Sequence, residues 1–509
     1  MLKIISLGDC EAPELNYKAT VGFIDDRPVY CDKKNLYDET QPFAKYTRHY
    51  PEVNLTPDML ATRESARTIG AGDLFLPVED SALKKIASVW REKGLVEAIR
   101  IAAGEDPRRV TKIVHWIATR ITTVLDFIER KTSSCDGLPS IGSGSVADIA
   151  ATRDWNTALI RCLAWHPHCS RLALATRDDR IRIFSSGTQS VAVLRHGGQK
   201  SVCSMSWRPH AGRELAAACC GGVLVWTIEL GAASYSLSHA TFLRQRNHAP
   251  VTGVAWHPQG DLLVSCSPND LNIIVWDVAR EIGIPLKRLG GGGQCILRWS
   301  SCGAKLLAAT CRTVFRVWDT GTGRPWTAER WTVPNGRVAV ACFGPHQTLL
   351  FTSTEDPATL FSLPLQDNIF DARGVTSFSD TKIAIPLIDL TKVLFSSNTD
   401  DEDGNEGTVV GGRVVAMDWD PSGKYLAILF QDSPLVALFK TSVGTISRVT
   451  QISPGCLITG FPGEYPNCLQ FHQYLDSDQP KACLTIAWTS GRVQQFPIVE
   501  KSQSPIKCY

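Results

Sequence analysis

Apolar positions along this chain come in short clusters cut by turn residues. Residues 251–278 read VTGVAWHPQGDLLVSCSPNDLNIIVWDV. Positions 251–256 alternate and stop at His257-Pro258-Gln259-Gly260. Positions 262–267 are apolar and stop at Pro268-Asn269-Asp270. Positions 273–278 are β-branched and close on Trp276-Asp277. Runs of this length between such turns predict an antiparallel meander. One meander cannot bury both of its faces, so it needs neighbours.

The same pattern returns along the chain. A first strand ends on an aromatic anchor at Trp165, Trp207, Trp256, Trp299, Phe343, Trp419 and Phe471, often with Pro two positions on. Each anchor is followed by a small or polar turn and an apolar strand. A third strand then ends at Phe184, Trp226, Trp276, Trp318, Phe361, Phe439 or Phe496. Anchors recur about every 42–52 residues, except for a longer step from Phe343 to Trp419. That is the spacing of WD40 repeats. A sandwich of unrelated strands has no need of the same aromatic turn seven times. A ring of blades does, because each blade packs on its neighbours and closure leaves few open edges. The expected fold is mainly β: a seven-bladed WD40 β-propeller over 146–500, preceded by an N-terminal extension with a helical segment. The anchors are expected in the wedges between blades.

Trp276-Asp277 and Trp318-Asp319 are WD dipeptides. WD40 blades are tied by a polar network of His, Ser or Thr, Asp and Trp. The third blade offers His248, Ser265 or Ser267, Asp270 and Trp276 in that order. Such a network stabilises only when every member is paired. His196 stands alone before the second blade, and blades five to seven carry Phe where Trp would sit. Those blades are expected to rely mainly on apolar packing.

Outside the repeats the pattern changes. Residues 1–78 read as an irregular extension with a candidate hairpin over 15–30, turning at Asp25-Asp26. The hairpin would either dock on the ring or supply a closing strand. Residues 79–132 show helical periodicity, as in Leu83, Ile86, Ala87 and Trp90, and in Val110, Ile113, Val114 and Ile117. This helical segment would pack on the ring or dock a partner, with Trp90 and Trp116 as candidate partner-docking anchors. Residues 133–145 are a Gly/Ser-rich linker. Residues 382–395 offer an outer strand for the fifth blade, with Pro386 tolerated at an edge. Residues 396–412 hold the acidic run 400–406 and are expected to be a mobile, solvated loop. The other reading, a cation or basic-peptide site, lacks the later Glu and the helical flanks of a calcium loop. Residues 501–509 form a C-terminal tail.

Composition narrows the function. Lys plus Arg is 53 against 51 for Asp plus Glu, and no basic stripe is evident, which argues against direct nucleic-acid binding. The 17 cysteines lack paired spacing and no Cys-x-x-Cys occurs, which suggests reduced thiols and disfavours a zinc site. Cys219-Cys220 are expected in the core. No apolar run approaches the ~20 residues of a membrane span, so membrane association would come through a partner. Gly290–293 lacks the Lys-Ser or Lys-Thr of a phosphate loop. The His-Pro turns at His166 and His257 are features of the repeat. No catalytic, cofactor-binding or metal residues are singled out, and no enzymatic activity or cofactor is expected.

The wording of the repeats is more specific than their spacing. LAWHPHCSRLALATRDDRIRIF, HAPVTGVAWHPQGDLLVSCSPNDLNIIVWDV and GGGQCILRWSSCGAKLLAATCRTVFRVWD resemble the aladin family of WD-repeat nucleoporins. The resemblance runs on through GRVVAMDWDPSGKYLAILF and AWTSGRVQQFPI and covers about 81–498, including the helical segment around SVWREKGLVEAI. It implies a non-catalytic scaffold of the nuclear pore complex at the nuclear envelope. Its partners would be an integral pore-membrane nucleoporin and other nucleoporins, and its role nucleocytoplasmic transport, chiefly protein import. The resemblance also implies a role in spindle assembly at the spindle poles in mitosis. The competing reading is a WD40 substrate receptor or adaptor of a ubiquitin ligase or another complex.

Overall fold

The computed structural model describes residues 18–56 (save 37, 39 and 42), Met59, Ala102, Trp116, 119–121 and 143–499. Within the last range 187–190, 229–238, 288–291, 322–324, 366–381, 392, 395–408, 445–449 and 474–480 are not described. The chain divides into two units, one of 1–60 with 143–509 and one of 61–142. Trp90 and most of the expected helical segment lie outside the described residues. In the second unit Ala102, Trp116 and 119–121 are helical.

The first unit is a seven-bladed propeller. Its inner strands are Ile160–Trp165, Ser204–Trp207, Gly253–Trp256, Gln294–Trp299, Val338–Phe343, Val414–Trp419 and Pro466–Gln473. Each lies beside the inner strand of the next blade, and that of blade seven lies beside that of blade one. Blades one to four and six are antiparallel meanders of four consecutive strands, and blade five is one in which a short strand given to blade four precedes the last. Blade five takes Ile385–Asp389 as its outer strand, as expected, with Pro386 beside a break in the register. Blade four gains a short parallel fifth strand, Lys382–Ile383. Val409–Val410 pairs with Val393–Leu394, so the end of the expected acidic loop is a strand.

The N-terminal hairpin closes the ring. Lys18–Ile24 and Arg27–Asp32 turn through Asp25 and Asp26, both in the left-handed region at φ 52° and 64°. A two-residue hairpin loop needs that conformation, and Asp tolerates it. The first hairpin strand is the fourth strand of blade seven, with the second hairpin strand outside it, and runs parallel to Arg492–Val499, with Phe23 opposite Ile498. It also reaches blade six. Thr459 donates its backbone N–H to Thr20 Oγ1 at 3.1 Å, Lys440 pairs with Asp26 at 2.9 Å, and Phe23 meets the edge of Tyr425. Val53–Asn54 holds the other end of the same strand by pairing with Arg492 and Val493. Gly491, at φ 88°, permits this approach, because a Cβ there would lie 1.9 Å from the Leu55 carbonyl oxygen.

A local feature recurs that hydrophobic patterning does not reveal. In blades one, four, five, six and seven the pairing of the inner strand skips one residue near its start: Arg161, Cys295, Ala339, Val415 and Asn467. These are β-bulges, which leave a residue outside the ladder and re-aim the local backbone.

Candidate functional site

The polar network of blade three is complete. His248 Nδ1 lies 2.8 Å from Asp270 Oδ2, and its Nε2 lies 2.8 Å from Ser265 Oγ. The Trp276 indole N–H donates to Ser265 Oγ at 2.7 Å, and Asn272 donates to Asp270 Oδ1. Ser265 is therefore the serine of the network; Ser267 accepts from the Asn269 N–H in the turn. Asp277 caps a turn through the Arg280 N–H. Asp319 pairs with Lys305 at 2.9 Å, beside the buried Trp318.

Other blades carry substitutes built from other residue types. In blade two the Trp226 indole donates to Gln199 Oε1 at 3.0 Å, and Gln199 donates onward to the Asp179 and Leu194 carbonyls. In blade one Arg182 pairs with Asp178 at 2.9 Å and donates to Thr176. Blade seven corrects the expectation of mainly apolar packing. Arg492 engages Glu464, and Arg492 and the Trp488 indole both donate to Gln494 Oε1 at 3.0 Å. The Gln494 amide then donates to the Thr20 carbonyl of the closing strand at 2.6 Å. Apolar stacking fits blade five, where Phe361 lies on Phe351 at 5.2 Å.

The anchors stitch neighbouring blades in a repeating way. The side chain after one anchor packs on the anchor of the next blade. His472 lies against Trp165, His166 against Trp207, Arg208 over Trp256, and His257 against Trp299. The side chain before an anchor accepts from the next anchor's backbone N–H: Gln470 from Trp165, Ser206 from Trp256, and Asp418 from Phe471. Burial raises the Asp418 carboxyl to about 6, against the pull of the backbone N–H groups of Phe471 and Trp419. Burial also pushes His166 and His472 down to about 4. Both are neutral packing groups near neutral pH, which gives the recurring His-Pro turn a physical role. Phe343 and Trp419 end their strands in the same way, with the Trp419 indole bonded to Thr441 at 2.9 Å.

The face on which the inner strands begin is covered by the chain itself. A helix, Ser143–Ile149, starts within the expected linker, and residues 150–157 continue across the mouth of the ring. Val146 and Trp155 pack with Cys203, Val251 and Val254 of blades two and three. Thr152 donates to the Arg161 carbonyl, and the Arg153 N–H donates to the Asn467 carbonyl at 2.9 Å. Both carbonyls belong to bulged residues, so the bulges seat this segment. Arg153 also donates to the Ser433 carbonyl, and Arg337 of blade five to that of Asp148, each at 2.9 Å. We call residues 143–157 the plug. A cleft of about 470 Å³ remains between plug and ring, bordered by Asp148, Asp154, Asn156, Arg413 and Gln431.

Large apolar side chains are also exposed on blade three. Leu271, Ile282 and Ile284 of blade three are each more than half exposed. In the second unit Trp116 is 61% exposed, with Arg120 over its ring at 5.7 Å. Cys219 is in the core, but Cys220 is exposed, because the strand ends at Cys219. Among the described residues no cluster of His, Cys, Asp or Glu is arranged to hold a metal ion, and no helix is long and apolar enough to cross a membrane.

Comparison with protein families agrees with this architecture. Aladin of Arabidopsis thaliana is 26% identical over 67% of this chain and 76% of its own length. The WD repeat and HMG-box DNA-binding protein 1 of Mus musculus is 28% identical over 28% of this chain and only 13% of its own length. A chain in a crystal structure of the mitotic checkpoint complex aligns at a TM-score of 0.45 and 16% identity, over 69% of this chain and 89% of that one. The family description "Aladin seven-bladed propeller" matches residues 141–499, from the start of the plug to the last strand of blade seven. The chain belongs to the aladin seven-bladed propeller family.

Proposed function

We propose that this chain is a non-catalytic scaffold nucleoporin of the nuclear pore complex, held at the nuclear envelope by an integral pore-membrane nucleoporin. It supports nucleocytoplasmic transport, chiefly protein import, and acts at spindle poles in mitosis. Family membership carries the reading, and the plug adds to it. A ring stitched at its joints and covered at one mouth is a rigid body that presents fixed surfaces to partners. Rigid surfaces lose little ordering entropy on docking. A ubiquitin-ligase receptor gripping a peptide at that mouth would first have to displace Trp155 and Val146.

In this reading the helical extension docks the membrane nucleoporin through Trp90 and Trp116. The test is affinity capture of the tagged chain from nuclear-envelope membranes, with Trp90→Ala and Trp116→Ala beside the parent. A pore-membrane nucleoporin should co-purify and fall at least about tenfold in one of the variants, as for an interface hot spot. Ligase subunits in place of nucleoporins would overturn the scaffold reading. Unchanged capture by both variants would remove the helix from it.

A further inference from the structure

Two thiols in blade four share one end of the ladder. Cys295 is the bulged residue of the inner strand, left between the pairs Gln294–Thr310 and Ile296–Ala309. Its Sγ points at the second strand, 3.4 Å from the Ala309 carbonyl and 3.3 Å from that of Thr310. Cys311 follows Thr310 directly, and its N–H donates to the Gly293 carbonyl at 2.8 Å. The two positions thus flank the same cross-strand pair. Cys295 is buried, whereas Cys311 is partly exposed. Arg337, whose charge acts on Cys311, also holds the plug at Asp148.

We propose that Cys295 and Cys311 are a redox couple that peroxide converts to a disulfide at the edge of the plug. Cys311 is the attacking thiol and Cys295 the resolving one. The neighbouring Cys295 thiol and, against burial, the charge of Arg337 hold the Cys311 thiol below its ordinary value. The neighbouring Cys311 thiol and burial push Cys295 well above it. Most other buried thiols, Cys203, Cys266, Cys342, Cys468 and Cys483 among them, are raised by burial and inert.

The chemistry balances. The Cys311 thiolate attacks one peroxide oxygen, the O–O bond breaks, and hydroxide leaves to become water. Cys311 is then a sulfenic acid. The Cys295 sulfur attacks the Cys311 sulfur, an S–S bond forms, and the sulfenic oxygen departs as water with the Cys295 proton. Two thiols lose two electrons, and one peroxide becomes two waters.

The test treats the purified full chain with limiting hydrogen peroxide and maps its peptides without reduction. A peptide pair linked through Cys295 and Cys311, two hydrogens lighter than the separate peptides, should form before the exposed Cys220 and Cys302 oxidise. In Cys295→Ser the link should vanish and dimedone should label Cys311; in Cys311→Ser neither product should form. Oxidation of Cys311 no faster than that of Cys220 and Cys302 would overturn the proposal, as would Cys295→Ser without a dimedone adduct. Should a serine variant misfold, the order of oxidation in the parent chain decides.

Discussion

Trp276→Ala will destabilise the propeller by about 3–5 kcal/mol, the range for truncating a large aromatic in a core. Trp276 is 1% exposed, and its ring fills space shared with Val251, Val254 and Leu263. The truncation opens a cavity in blade three and removes the indole donor from Ser265. Trp276→Phe lessens the first effect and keeps the second: it leaves a smaller cavity and also loses the donor, so its cost should be about 1–3 kcal/mol. Ser265 retains His248 in that variant, and His248 retains Asp270. Denaturant midpoints of the two variants against the parent measure both effects. A Trp276→Ala loss below about 1 kcal/mol would show that the ring is not packed as described.

Removing residues 1–32 will cost on the order of 5 kcal/mol or more and change the solution behaviour of the chain. Phe23, Val21 and Ala19 are each at most 2% exposed. Fully burying each large apolar side chain contributes about 1.5–3 kcal/mol. The deletion also strips Gln494 of the Thr20 carbonyl and Lys440 of Asp26. It bares one edge of Arg492–Val499 along its last residues, and an open edge strand invites pairing with another copy. The expected result is a lower unfolding temperature together with larger species in size-exclusion chromatography. A truncated chain that melts and elutes like the parent would mean that the hairpin does not close the ring.

The propeller was legible because its signals are short-range and repeated. Trp165, Trp207, Trp256, Trp299 and Trp419 sit at one position of one motif, and the network of blade three lies within a single repeat. The hairpin was legible from Asp25-Asp26, but its role was not. The pairing of Phe23 with Ile498 joins the two ends of the chain, and no local pattern encodes it. The plug was missed because ADIAATRDW has neither helical nor strand periodicity; its hold on the ring comes from the carbonyls of Arg161 and Asn467. The ties of blades two and seven were missed for different reasons: Gln199 stands where His248 does relative to its anchor but is not a histidine, and Gln494 lies on a third strand at a position unlike that of Ser265. Gln next to a strand is too common to carry that signal. The inter-blade stitches were half visible, since the recurring Trp-His-Pro wording was on the page but its partner, the next blade's tryptophan, was not.

The most direct measurement of the central claim is the position of a fluorescently tagged copy in living cells, before and after depletion of the integral pore-membrane nucleoporins. A scaffold held through such a partner will give a punctate nuclear rim that disperses when the partner is removed. A signal that is diffuse from the start, or a rim that persists after depletion, would contradict the anchored-scaffold account.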